Sequence, residues 1–534
     1  MSYKLLSLAA LLGGLLVFGS CNSNNTKPQD DDTKPQYKLT LSASPSNGGS
    51  VSPTEQLYQE GSTAEIAATS SQEWIFAGWE GDHTGTSSTT TITVDSDKNI
   101  TAIFEKKQYA LTINTTGQGN VDQQVVSSKP TDYDSGTVVE LTANPNADWK
   151  FVEWQGAITG SGNPQQITID EPKEVTAVFE AFYLASNGVT IICEAASVGD
   201  TGTINGTTYT KRSKSQITPS NAPTTCTSGI TDMSNLFDGA STFNGDISHW
   251  DVSSVTNMSS MFYIADVFNG DLSSWDVSGV TNMSAMFQGA SSFNQNLSSW
   301  DVSAVTDMNS MFAGASAFNQ DLTNWNVSSV TDMGVMFAGA DAFNGDISGW
   351  DVSSVTEMSR MFEDADVFDG GIGSWDVGSV ENMRQMFKDA SSFDGNISSW
   401  DVSNVTNMRY MFAFAFVFNG DISNWNVSSV TNMSFMFQYA NAFNGDLSNW
   451  DVSSVTDMYS MFRSANSFNQ DIGSWNTSAV TNMDFMFNDA SSFNQDISTW
   501  CVSNISSEPT DFDTNAGFDG NSSIQPQWGT CPSP

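Results

Sequence analysis

Two histidines, His83 and His249, are the only imidazoles in the 534 residues. They sit in unrelated segments, so histidine-based acid–base, nucleophilic or metal chemistry has little to work with. Acidic pairs such as Asp364 and Asp366 could in principle share glycosidase-like work. With 60 Asp and Glu in the chain, such pairs arise by chance, and no unique cluster stands apart from a repeat. The expectation is therefore no catalytic residue, no metal and no cofactor. One column of carboxylates stands out: Asp251, Asp276, Asp301, Asp351, Asp376, Asp401 and Asp451 recur in register. Stacked as strands, they would lie about 5 Å apart and could hold calcium. Asn326, Asn426 and Asn476 interrupt the column, keeping the oxygen and losing the charge. Capping of the following backbone N–H groups is the better reading.

The elements that would position these groups follow from one period. Tryptophans fall at 250, 275, 300, 325, 350, 375, 400, 425, 450, 475 and 500 without a slip. A fixed period of this length marks units that bury their apolar faces only by stacking on neighbours. Ile247, Trp250, Val252 and Val255 follow spacings of three, two and three, the rhythm of a leucine-rich-repeat strand and its flanks. Met258, Met261, Phe262 and Ala265 recur at i, i+3, i+4 and i+7, which predicts one face of a short helix. Thr256 or Asn257 can cap its start, and Phe268-Asn269-Gly270-Asp271 supplies the returning turn. Methionines after Met1 fall at these two positions, as in Met283 and Met286 or Met483 and Met486. A methionine stripe could capture metal or form a promiscuous groove, and stacked tryptophans could bind sugar. At this spacing both read as core.

The chain is strongly acidic, with 18 Lys and Arg and a net charge of −42. Nucleic acid is thereby excluded as a partner, because phosphate binding needs clustered cations. Residues 1–20 read as an export signal: Lys4, then an apolar stretch Leu5 to Phe18 too short for a membrane span. Val17-Phe18-Gly19-Ser20-Cys21 resembles a lipobox, which implies lipidation of Cys21 and contact with the membrane only through that anchor. Residues 21–36, rich in Asn, Asp, Pro, Lys and Thr, read as a solvated tether. Two matched segments follow, 37–106 and 107–180. Tyr37-Lys38-Leu39-Thr40-Leu41 is answered by Tyr109-Ala110-Leu111-Thr112-Ile113, and Trp74 to Gly81 by Trp149 to Gly156. Alternating apolar and polar residues between Gly, Asn and Pro turns predict short antiparallel strands. These motifs are similar to the divergent internalin-type B-repeat, which implies small β-grasp-like spacer modules. Trp79 and Trp154 read as core residues.

The unit Trp-Asp-Val-Ser-x-Val-Thr-x-Met-x-x-Met-Phe-x-x-Ala-x-x-Phe-Asn resembles the BspA-like leucine-rich-repeat surface lipoprotein family in its 25-residue form. The resemblance implies an α/β leucine-rich-repeat-like solenoid of about eleven 25-residue repeats over 229–505. It also implies an N-terminal β cap at 181–228, which starts Phe182-Tyr183-Leu184-Ala185, and a C-terminal cap at 506–534. Members are secreted or surface-anchored, several are associated with adhesion, and no enzymatic activity attaches to the repeats. Within this register Cys226 and Cys501 replace the strand acid at the two ends of the array. Disulfides Cys193–Cys226 and Cys501–Cys531 are inferred to pin the caps; the alternative is four free thiols.

The strand side repeats Ser, Thr, Asn and Gly almost unchanged. Positions nine, ten, thirteen and fourteen after each Trp fall off the predicted helix stripe and should be exposed. There the sequence varies: Arg384, Lys388, Arg409, Tyr410, Phe414, Phe435 and Tyr439, with Arg360, Tyr459, Arg463 and Phe485 nearby. Aromatic groups beside rare cations suit an interaction site; packing or drift in a tolerant repeat is the alternative. The expected function is that of an outer-membrane-anchored surface lipoprotein binding an extracellular or host-surface protein. A structural or carbohydrate-binding envelope component is the other reading.

Overall fold

The computed structural model describes residues 34–125 and 132–532. The export signal, Cys21 and most of the expected tether lie outside them. The chain forms two compact units, one of residues up to 112 with 123–141 and 165–175, the other of 113–122, 142–164 and 176 onward. No helix among the described residues is long and apolar enough to cross a membrane.

In the first unit the predicted alternation becomes strands β1 (Gln36–Ser44), β2 (Gly49–Ser52), β3 (Glu55–Gln59), β4 (Ser62–Ser70), β5 (Trp74–Gly81), β6 (Thr89–Val94) and β7 (Lys98–Lys106). They form two small sheets, ordered β3-β1-β7-β5 and β2-β4-β6. β1 and β7 run parallel and the other neighbours antiparallel. Every second residue points inward, so Leu39, Leu41, Ile66, Ile100 and Phe104 share one core. Trp79 is buried there, its Nε1 donating to the Ser87 carbonyl at 2.9 Å. Seven further strands follow in the same succession, β8 (Gln108–Thr116), β9 (Gly119–Val125), β10 (Asp132–Asp134), β11 (Thr137–Pro145), β12 (Lys150–Gly156), β13 (Gln165–Ile169) and β14 (Lys173–Glu180). Trp154 is buried as Trp79 is, with its Nε1 on the Gly162 carbonyl at 2.8 Å. The helix of a β-grasp module does not occur among the described residues of either segment.

The expected α/β leucine-rich-repeat-like solenoid is overturned. No α-helix occurs among the described residues; the helical content is three-residue 3₁₀ turns such as Ile372–Ser374. The Met-x-x-Met-Phe segment is a run of turns, and its hydrogen bonds give the reason. The N–H groups of Met258, Ser260, Phe262 and Ile264 donate to Asn282, Ser284, Met286 and Gln288 of the following unit at 2.7–2.9 Å. Those between them, on Met261, Tyr263 and Ala265, close back three residues. Half the donors a helix would keep for itself are thus spent on the neighbour. Ser260 and Ile264 also sit at φ +54° and +50°, the left-handed region, which an α-helix of L-residues does not tolerate. The leucine-rich-repeat strand expected over residues 247–255 is likewise replaced by turns, and single parallel bridges link the units just after it, as Asn257 to Asn282 to Asp307.

Side chains stack in the same register. The rings of Trp325, Trp350 and Trp375 lie 6.4 and 6.2 Å apart with planes within 3°. Each indole N–H reaches a carbonyl 28 residues back, as Trp350 to Leu322 at 3.1 Å. Met258, Met261, Phe262 and their counterparts are fully buried, so the methionine and tryptophan columns are core. A ladder that the sequence reading treated only as a turn runs alongside. The Asn269 N–H donates to Asn244 Oδ1, Asn294 to Asn269, and so on to Asn494 on Asn469, with Asp369 and Asp394 serving in the same way.

Both disulfides form as inferred, Cys193–Cys226 and Cys501–Cys531. The first cap meets the array through the Ile191 N–H on the His249 carbonyl and the Trp250 Nε1 on the Ala222 carbonyl. His249 itself is buried against Tyr209, and burial pushes its imidazole below the usual histidine range. At the other end Phe512 and Phe518 meet Phe487 edge-on at 87° and 83°, ending the parallel ring stack.

Candidate partner-binding site

The strand acids are held by their own turns. Asp351 Oδ1 accepts from the Ser353 hydroxyl at 2.6 Å and the Ser353 N–H at 3.1 Å, and these bonds hold its carboxyl below the usual carboxylate range. Asn326 Oδ1 makes the same two bonds to Ser328, at 2.8 and 3.2 Å. Carboxylate and amide therefore do one local job, closing a turn, which is why they interchange. Among the described residues no three His, Cys, Asp or Glu gather as metal donors.

The variation to bulky and charged side chains is concentrated in columns on the turn side. Positions ten and fourteen after each Trp from Trp250 to Trp475 keep a left-handed backbone whatever residue occupies them. Position ten runs Ala285, Ser310, Val335, Arg360, Gln385, Tyr410 and Phe435, with φ from +54° to +62°. Position fourteen is glycine in Gly289, Gly314 and Gly339, then becomes Asp364, Asp389, Phe414 and Tyr439, still at positive φ. The conformation costs a non-glycine residue about 1–2 kcal/mol, and the inter-unit hydrogen bonds hold it in place. These columns carry side chains of any size on an unchanging backbone.

The expected exposure of positions nine, ten, thirteen and fourteen needs correction. Arg384, Lys388, Arg409, Tyr410, Phe414, Phe435 and Tyr439 are all half-buried, and position thirteen is buried in Glu363 and Gln438. Equivalent side chains of adjacent units lie side by side, so each covers the next. Lys388 is already engaged: its ammonium lies 3.1 Å from Glu363 and 2.5 Å from Asp389. Burial lowers the Lys388 pKa, but these two bonds outweigh it and hold the group above its usual range. Arg360 and Gln385 bind the same buried Glu363, so this quartet is structural. Only the neighbouring Glu363 and Lys388 at one register position could have betrayed it in the sequence.

The aromatic residues do come together. Tyr410 and Phe435 stack at 4.1 Å and 6°, and Phe414 and Tyr439 at 4.9 Å and 19°. The Arg409 guanidinium lies 5.0 Å from the Tyr410 ring and 5.6 Å from Phe435, within cation–π reach. Tyr459, from position nine, and Phe485 extend the aromatic cluster, with Arg463 5.5 Å from Phe485. The structure adds two residues that the sequence reading missed, Phe416 and Val417, each nearly half exposed, with Phe416 edge-on to Phe414 at 6.3 Å. Position sixteen is Ser, Asp or Asn in the other units, so the phenylalanine was visible as a departure.

Two family models match the chain. A family described as "Mycoplasma protein of unknown function, DUF285" matches residues 209–325, 311–425, 367–451 and 413–528. The two β segments match "Divergent InlB B-repeat domain" at 39–108 and 109–182. Neither the curated proteins nor the solved structures offer a match.

Proposed function

We propose, for a chain that belongs to the family described as "Mycoplasma protein of unknown function, DUF285", that it is an outer-membrane surface lipoprotein whose repeat array binds a protein partner. One observation carries this reading: an invariant stacked backbone presents its variation in a few columns, where arginines and aromatic rings collect between 409 and 485. Binding hot spots favour these residue types. The apparent export signal and Cys21 support display outside the cell. So does the resemblance of the 25-residue unit to BspA-like surface lipoproteins.

The test sets the full chain against immobilised extracellular-matrix and bacterial envelope proteins, with a glycan array alongside. Retention on protein is expected. Tyr410→Ala with Phe435→Ala should weaken it by about 2 kcal/mol or more, as for paired aromatic anchors. Asp351→Asn, Asp376→Asn and Asp401→Asn together should leave it unchanged, because asparagine closes the same turn. Binding to glycans and to no protein would make a carbohydrate-binding envelope component the better account.

A further inference from the structure

We propose that the partner segment seated on this face is an acidic polypeptide stretch carrying aromatic or aliphatic side chains; the inference rests on the protein-binding reading above. Five cations occur between residues 231 and 500, namely Arg360, Arg384, Lys388, Arg409 and Arg463. Arg360 and Lys388 are paired with Glu363. The other three make no ion pair among the described residues, in a chain with 60 carboxylates. Self-pairing would be easy in such a chain, so three half-buried, unpaired guanidinium groups on one side are left available to an acceptor from elsewhere.

Two further observations point the same way. The Nε atoms of Arg409 and Arg463 are buried without a hydrogen-bond partner among the described residues. Their guanidinium groups are held against rings, which fixes the fork that carboxylates match. Around Arg409 the turn side also carries no acid, although Asp457, Asp484 and Asp489 lie in the units nearer Arg463. Residues 407–419 and 432–444 contain no Asp or Glu, whereas the equivalent stretch 357–369 contains Glu357, Glu363, Asp364, Asp366 and Asp369. The net charge of −42 opposes any acid at long range, but that repulsion is screened beyond about 8 Å at physiological ionic strength.

The rings argue for polypeptide over acidic glycan. A sugar needs a free ring face, and Tyr410 and Phe435 turn faces on one another at 4.1 Å, as Phe414 and Tyr439 do at 4.9 Å. Ring edges and the exposed Phe416 and Val417 remain, a surface suited to apolar side chains.

The full chain should be titrated with a glutamate–tyrosine copolymer, a lysine–tyrosine copolymer and heparin. The glutamate–tyrosine copolymer is expected to bind tightest. Arg409→Gln with Arg463→Gln should weaken it at least tenfold, and Phe416→Ser, at an exposed ring that the fold does not need, should weaken it severalfold. Thermal melting checks that each variant still folds. Tighter binding of the lysine copolymer would mean that the overall acidity governs association, and tighter binding of heparin would assign the face to a sulfated glycan. Wild-type affinity in a folded arginine variant would likewise overturn the proposal. If extracellular proteins still bind through Tyr410 and Phe435 in any of these cases, only the acidic partner is lost. If that aromatic pair also proves irrelevant, the protein-binding reading fails with it.

Discussion

Trp350→Ala is expected to destabilise the array by about 3–5 kcal/mol, the range for deleting a buried aromatic ring. The indole is 4% exposed, sits between Trp325 and Trp375, and donates to the Leu322 carbonyl. Its loss removes contacts from three units and one of the two hydrogen bonds on the Leu322 carbonyl, which keeps the Trp325 N–H. Stacked repeats owe their stability to nearest neighbours, so the damage should spread. Amide exchange should accelerate in residues 326–375 before it does in the first or last units. An unchanged melting temperature would mean that the tryptophan column is not the core.

Cys21→Ala is expected to move the protein almost wholly from membranes into the soluble fraction. The motive is the apolar stretch to Phe18 followed by Gly19-Ser20-Cys21. A lipidated cysteine buries acyl chains at about 0.8 kcal/mol per CH₂, and no apolar stretch of the sequence, Leu5 to Phe18 included, is long enough to span a bilayer. Detergent-phase partitioning measures the shift. A Cys21→Ala protein that stays in the detergent phase would remove the lipid anchor from the account.

The period, the buried columns, the two β segments and both disulfides were legible because each is written as spacing. Trp at every twenty-fifth position can be satisfied only by stacking, and cysteine at the ends of that register marks the caps. The conformation of the Met-x-x-Met-Phe segment was misread because i, i+3, i+4 and i+7 describe apolar groups facing one way, whatever backbone puts them there. Alternating local turns and inter-unit bonds meet the same pattern. The contrary signal was Gly239, Gly289, Gly314 and Gly339 at one position, costly in a helix and at home at positive φ. The candidate columns were legible in their residue types and less so in their geometry. Arg409, Tyr410, Phe414, Phe435 and Tyr439 were picked out as candidates from variation and do lie together, whereas Lys388 is engaged in an internal ion cluster. Side-by-side stacking, invisible in a single unit, explains why the others are half-buried.

Hydroxyl-radical footprinting of the full chain, alone and bound to an extracellular protein retained on the panel, tests the central claim most directly. Radical attack reads side-chain exposure at Phe and Tyr. Tyr410, Phe416 and Tyr439 should lose reactivity on binding, while Tyr58 in the first β segment and Tyr183 in the cap keep theirs. Unchanged reactivity at 410, 416 and 439, with protection at Tyr58 or Tyr183, would contradict binding through the array.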